Sequence, residues 1–254
     1  MRRFRFCSVA AVTACAGVAW AGVASAGPPF LTDDPEPVDY QHWEIYGFST
    51  ENAVQGDTRG ILPGVEVNYG AAPNLQLHVI APIAFNAQAG DGFQYGLGDI
   101  ELGTKYRFIE QDKDGWVPDI GIFPLVEAPT GNARLGLGAG HTQIFMPVWL
   151  QKDDGDWTTY GGGGYWINPG AGNRNYFFVG WLLQRQVTKQ LAIGAEVFHQ
   201  TAATEPGRDS TGFNIGAIYD FNDHYHLLLS AGEGLRNART NDQFSYYFGI
   251  QNTF

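Results

Sequence analysis

The stretch Asp99-Ile-Glu-Leu-Gly-Thr-Lys-Tyr-Arg-Phe108 holds the densest set of groups that could do chemistry. Asp99, Glu101, Lys105 and Arg107 share one parity; Ile100, Leu102, Tyr106 and Phe108 share the other. Period-two alternation describes a strand with one charged and one apolar face. Two carboxylates and two cations on one face can sieve charged solutes, or can simply pair with one another. Nucleophilic chemistry has a thinner basis. His199 and Thr201 share a strand face, as a histidine and a hydroxyl it activates could, but no orienting carboxylate or asparagine can be assigned. Interface polar residues are the plainer reading, and no enzyme is expected. Asp112-Lys-Asp-Gly115 lacks the later ligands and terminal glutamate of a calcium loop and reads as an Asp-Gly turn. Gly161 to Gly164 lacks the lysine and helix of a phosphate loop. His141, His224 and His226 form no metal constellation, so neither a cofactor nor a metal is expected.

The chain ends show where these residues act. Met1 to Arg5 carries three arginines, Cys7 to Ala24 is uncharged, and Ala24-Ser25-Ala26 has small-x-small form. This predicts a signal peptide over residues 1–26. Val12-Thr13-Ala14-Cys15 fits a lipoprotein box less well, because the apolar region continues to a better cleavage site. At the other end, Phe244, Tyr246, Phe248 and Ile250 alternate up to an aromatic terminus, Phe254. Outer-membrane barrels end this way, since the last strand must close against the first and leave no edge in lipid. The ending resembles the signal read by the bacterial barrel-assembly machinery, with Asn252 a departure from it.

Both cysteines, Cys7 and Cys15, lie in the leader, so the mature chain carries no thiol chemistry. Of 15 basic residues, three are leader arginines; the remaining 12 face 26 acidic ones, a net charge of −14. Nucleic acid is excluded as a partner on charge, leaving outer-membrane lipid, the assembly machinery and a small-molecule solute.

Alternation predicts an all-β fold: an antiparallel up-and-down transmembrane barrel of about twelve strands over residues 40–254. The expected spans are 40–50, 60–70, 74–86, 94–109, 116–129 and 140–152. They continue with 156–168, 175–187, 190–201, 210–221, 224–235 and 244–254. Short polar turns at 71–74, 110–115, 152–156, 188–190 and 222–223 alternate with longer stretches at 51–59, 86–93, 129–139, 169–174, 202–209 and 236–243. Barrels keep short turns on the periplasmic side. The expected location is thus the outer membrane of a Gram-negative bacterium, with both termini periplasmic.

Energy assigns the faces. A base facing lipid near mid-membrane costs roughly 2–4 kcal/mol, so Lys105 and Arg107 are expected inside. The same logic puts Leu75, Leu77 and Val79 on lipid with Gln76 and His78 inside, and Phe213, Ile215 and Tyr219 on lipid with Asn214 inside. Phase stays open in 156–168, where four glycines blur it, and in 175–187, where Arg185 shares a face with Trp181 and Leu183. Tyr69, Tyr106, Phe108, Trp116, Trp157, Phe221, Tyr225 and Phe254 gather near the short turns, as an interface girdle would.

Several segments carry a family likeness: Pro29-Phe-Leu-Thr-Asp-Asp-Pro-Glu-Pro-Val38, Gly98-Asp99 leading to Lys105-Tyr-Arg-Phe108, Glu127-Ala-Pro-Thr-Gly131, Leu150-Gln-Lys152, and Gly194-Ala-Glu-Val-Phe-His-Gln-Thr201. Across nearly the whole mature chain the sequence resembles the MetA-pathway-of-phenol-degradation family of outer-membrane proteins. The resemblance implies a transporter-like barrel for small aromatic or hydrophobic molecules, and it supplies no catalytic set.

These phases line the lumen with Glu44, Glu66, Asp99, Glu101, Asp119, Glu127, Glu196, Asp220 and Glu233 against mainly Lys105 and Arg107. An acidic lining favours cations if the lumen conducts. Residues 27–39, rich in proline and acid, are expected either to fold into the lumen or to form a periplasmic tail. The expected function is a channel or transporter; the alternatives are a sealed structural barrel and, further off, a lipid-modifying enzyme.

Overall fold

The computed structural model describes residues 28–88, 92–112 and 115–254. The expected signal peptide lies outside them, as do Gly27, Lys113 and Asp114. Among the described residues no helix is long and apolar enough to cross a membrane; strands do the crossing.

Fourteen strand segments form one sheet: β1 Trp43–Val54, β2 Asp57–Ala72, β3 Leu75–Gln88, β4 Gly92–Leu97, β5 Ile100–Ile109, β6 Asp119–Ile122 and β7 Leu125–Ala128. The second half is β8 Gln143–Asp154, β9 Trp157–Ile167, β10 Tyr176–Thr188, β11 Leu191–Gln200, β12 Ser210–Asp220, β13 Tyr225–Arg236 and β14 Phe244–Thr253. They make twelve wall strands. Gly98-Asp99 interrupts one, dividing β4 from β5, and Phe123-Pro124 interrupts the next, dividing β6 from β7. Proline has no N–H to give a ladder, and a strand breaks there at little cost. The wall closes: β1 pairs with β14 from Glu44↔Thr253 to Ala53↔Phe244, while β3 pairs β5 and β8 pairs β7. Trp43 and Phe254 exchange backbone hydrogen bonds of 2.7 and 3.0 Å at the seam. A closed antiparallel barrel leaves no open edge at membrane depth.

Two expected loops are largely strand. Between Glu51 and Arg59 the ladder continues through Val54↔Asp57, leaving only Gln55 and Gly56, where Gly56 takes φ 82°. Between Asn86 and Phe93, β3 runs to Gln88 and β4 starts at Gly92. A hairpin that rises clear of lipid needs no apolar face, so its backbone ladder persists after apolar alternation has ended.

The faces follow lipid energetics. Leu102 is 50% exposed and Lys105 only 4%, the phase that the cost of lipid-facing bases requires. Gln76, His78 and Asn214 are buried inside while Leu77, Ile215 and Tyr219 point out. The two open phases are settled. In β9, Trp157, Tyr165 and Ile167 are exposed and Tyr160 is buried. Trp181 lies over Gly161, where a Cβ would stand 2.4 Å from the indole. Arg185 is outward, its guanidinium 5.1 Å from the Trp157 ring; an aromatic face at the short-turn rim takes part of the load of holding that charge out of hydrocarbon. Ile215→Arg, on the outer face, is expected to lower the unfolding free energy by about 2–4 kcal/mol, whereas Asn214→Arg on the inner face should not show this lipid-dependent cost. Urea titration in lipid vesicles compares the two.

Candidate functional site: a lumen threaded by the N-terminal segment

Residues 28–42 turn into the barrel from the short-turn rim. Tyr40 forms a parallel bridge to Gly70, and Val38 donates its N–H to Gln76 Oε1 at 2.9 Å. Farther in, Glu36 reaches Arg107 and Gln151, and Asp33 and Asp34 reach Lys105. Glu196, 1% exposed on the inner face of β11, accepts the N–H groups of Leu31 and Thr32 at 2.9 and 2.8 Å. It also accepts Asn214 Nδ2 at 2.6 Å. Beyond it, Ser230 donates to Pro29 O at 2.5 Å. The wall makes room with inward glycines. A Cβ on Gly180 would meet Thr32 Oγ1 at 2.1 Å, and one on Gly216 would meet the Phe30 ring at 2.7 Å.

Lys105 and Arg107 hold this segment rather than neutralising Asp99 and Glu101. Lys105 Nζ lies 2.9 Å from Asp33 and 3.4 Å from Asp34, and 5.0 Å from the Phe123 ring centroid. Arg107 Nη1 is 3.7 Å from Glu36 and 3.3 Å from Asp119, and its Nη2 donates to Asn74 Oδ1 at 2.9 Å. Buried charges need such partners, because removing one leaves the other without water or counter-charge.

Asp99 has a different task. Its two oxygens accept Gly131 N and Ala139 N at 2.8 and 2.6 Å, while Thr130 Oγ1 donates to Gly98 O at 2.8 Å. These bonds pin the 129–139 connection against the inner side of β4, where Leu137 is buried. Gly138 lets the loop approach: a Cβ there would stand 2.4 Å from Asp99 Oδ1. Asp99→Ala leaves two N–H groups without their acceptor; that of Ala139 can turn to water, while that of half-buried Gly131 costs at most about 1–3 kcal/mol. Limited proteolysis of folded protein should then cut within 131–139, a region expected to resist in the wild type.

Glu44 accepts Tyr46 Oη at 2.7 Å. Glu66 accepts Asn68 Nδ2 at 2.9 Å, and Glu101 meets His78 Nε2 at 2.9 Å. Glu127 is the register partner of Glu101 on the inner face, and Asp220 meets His226 Nδ1 at 2.6 Å near the short-turn rim. Glu233 is a correction: it pairs across with Phe213, shares the parity of exposed Leu229 and Leu235, and points outward. Near the long-loop rim a carboxylate on the outer face costs about 0–1 kcal/mol, so the energy argument has no force there. His199 bonds Thr211 Oγ1 at 2.9 Å, whereas Thr201 Oγ1 accepts the Phe177 N–H at 2.9 Å; the two do not form a dyad.

Sequence alternation missed an aromatic cluster on the inner wall. Phe123, Phe145, Trp149, Phe178 and Phe198 are buried together, with Leu125 and Trp166 against them. Phe145 stacks on Trp166 at 4.7 Å between centroids. The signal was present but ambiguous: β8 reads Phe145-Met-Pro-Val-Trp-Leu150, apolar on both faces.

One loop carboxylate outside the wall titrates near neutrality. Asp242 is pushed up to about 6 by burial, with the Ser245 hydroxyl opposing. A raised acid pKa means that the native form holds its proton longer than the unfolded form. Its contribution is therefore present at low pH and lost as pH rises through about 6. Amide exchange in 236–243 should quicken from pH 5 to pH 7.5 beyond its intrinsic rise, and Asp242→Asn should remove the excess.

Comparison with curated proteins finds no match. Among solved structures, the barrel is similar to the COG4313 outer membrane channel from Pseudomonas putida F1, with TM-score 0.72 and 17% identity over 87% of this chain and 98% of that one. It is also similar to the KdgM porin, with TM-score 0.58 and 13% identity over 83% and 99% of the two chains. For the NanC porin the values are 0.55 and 9%, over 84% and 98%. At these identities the likeness is one of fold, that of outer-membrane barrels. The family model described as "Putative MetA-pathway of phenol degradation" matches residues 47–251, and the chain belongs to that family.

Proposed function

We propose that the protein passes small aromatic or hydrophobic molecules across the outer membrane, with both termini on the periplasmic side. The observation that carries this is the inner-wall cluster of Phe123, Phe145, Trp149, Phe178 and Phe198. Barrels that conduct water-soluble solutes line their interior with polar groups; an aromatic inner face gives apolar solutes a surface to leave water for. Below it the lumen is crossed by residues 28–39, whose carboxylates meet Lys105 and Arg107, so hydrated ions meet a constriction. What current does pass is expected to favour cations, since the inward carboxylates outnumber Lys105 and Arg107. The channel and porin names of the structural neighbours and the family description agree with passage of a solute.

A sealed barrel is the second reading, favoured by how little of the cluster and of Thr32 and Asp34 is exposed. Uptake separates the two. Cells lacking general porins and expressing the protein should accumulate an apolar aromatic dye such as N-phenyl-1-naphthylamine several-fold faster than cells without it, with no comparable gain for a disaccharide. Equal dye rates favour the sealed barrel, and a gain for the sugar alone would count against the aromatic path. Orientation has its own test: a thiol placed at Gly207 should label on intact cells and one at Asp153 should not.

A further inference from the structure

The outer wall carries two depressions. One, of about 770 Å3, lies across β11 to β14, where Ala217 and Ala231 stand low among Ile193, Ile215, Leu229 and Phe248. A second, of about 350 Å3, is bounded by Val179, Trp181 and Val197 and reaches His199 and Thr211 toward the long-loop rim. Both open onto the apolar outer face.

Cations gather above them. Arg236 is the register partner of Thr211 beside the bulge between Thr211 and Gly212, and Thr211 is the partner of His199, so the three lie at one height near the long-loop rim, with Arg236 exposed. The 202–209 connection supplies Arg208, and the short helix α1 (Ala238–Asn241) supplies Arg239. These connections are tied together: Asn241 Nδ2 donates to Arg208 O at 2.9 Å, Asn237 Nδ2 to Asp209 O at 2.7 Å, and Gln55 N to Arg239 O at 3.0 Å. All three arginines are exposed, and none takes part in the ion pairs found among the described residues. Of the nearby carboxylates, Asp209 accepts Ala202 N and Asp242 accepts Asn52 and Ser245. Glu205 and Glu233 remain in opposition. Residue type is uneven as well. Among the described residues, the lysines outside the lumen, Lys152 and Lys189, lie at the short turns, whereas the opposite rim carries arginine and no lysine. Arginine's planar fork grips phosphate through two parallel hydrogen bonds, which the lysine ammonium cannot match.

We propose that Arg208, Arg236 and Arg239, together with the two depressions, bind a phosphorylated, multiply acylated glycolipid of the outer leaflet. Lipid A has that chemistry: phosphates meet the guanidinium groups while acyl chains fill the low ground at Ala217, Ala231 and Val197. The site rests on the reading that the long-loop rim faces away from the cell.

Native mass spectrometry of purified, detergent-released protein tests it with bisphosphorylated lipid A, its monophosphorylated form and phosphatidylglycerol as probes. Wild type is expected to retain bisphosphorylated lipid A most strongly. Arg208→Ala with Arg236→Ala and Arg239→Ala should weaken it about tenfold or more, the loss of one or more charge-assisted contacts. The corresponding lysine triple should recover part. Ala217→Trp with Ala231→Trp, which leaves every charge in place, should also reduce retention. Lipid A bound equally by wild type and the alanine triple, or phosphatidylglycerol bound as well as lipid A, would overturn the proposal. Labelling at Gly207 reads orientation separately. Labelled Gly207 with no lipid A retention sinks the site alone; retention with an unlabelled Gly207 sinks the orientation.

Discussion

Removal of residues 28–39 is expected to raise single-channel conductance about tenfold or more, because a barrel of this width with nothing across it holds a continuous water column. The wall does not depend on the segment. Its ladder begins at Trp43 and closes through β1 and β14, so the shortened chain should still show the heat-modifiable migration of a folded barrel. The inward groups released from the segment, Glu196, Lys105 and Arg107, would then face water and set selectivity. Conductance unchanged in a folded deletion variant would place the constriction elsewhere, at the aromatic cluster or the 129–139 connection.

Lys105→Met should free the same segment without deleting it. The substitution leaves Asp34, fully buried, and its neighbour Asp33 without their cation, and breaking such a pair costs about 3–5 kcal/mol. The closed ladder cannot relieve that cost, but the segment can, by leaving the lumen. At 1.4 kcal/mol per tenfold, the undocked fraction should rise by roughly two to three and a half powers of ten. A thiol at Thr32, buried at Gly180 in the wild type, reports it through its rate of reaction with a water-soluble maleimide. Adding Asp33→Asn and Asp34→Asn should restore protection, since the stranded charge is then gone. Equal reactivity in all three backgrounds would mean that Glu196 and Ser230 hold the segment unaided.

How much of this was legible in the chain follows from where lipid exerts force. Lipid penalises a misplaced Lys105 or Arg107 heavily, so β5 declared its phase, as β3 and β12 did. At Glu233, beyond the hydrocarbon, the penalty vanishes and the assignment failed. The hairpins at Gln55-Gly56 and after Gln88 were read as loops for the same reason: apolar alternation marks the membrane, whereas the backbone ladder runs past it. The strand breaks at Gly98-Asp99 and Phe123-Pro124 had a glycine and a proline as their signal, each of which also occurs in unbroken strand, as Pro147 does in β8. The path of residues 28–39 was legible only as one of two options. Its mark was a set of inward glycines: a Cβ at Gly121 would meet Pro35, one at Gly180 Thr32, and one at Gly194 or Gly216 Phe30, so their missing side chains matter only once the segment lies against them. Acidity of the lining was readable, but its partners were not: Asp99 serves a loop and Lys105 serves the segment, pairings set by folds of the chain far apart in sequence.

The most direct test of the proposed passage is a crystal structure grown with a brominated phenol, its bromine located by anomalous scattering. Passage through the lumen should give a peak inside the barrel, against Phe145, Trp149, Trp166 or Phe178, with the rings displaced to admit it. Peaks confined to the outer wall, with the inner cluster closed as in the free protein, would contradict it.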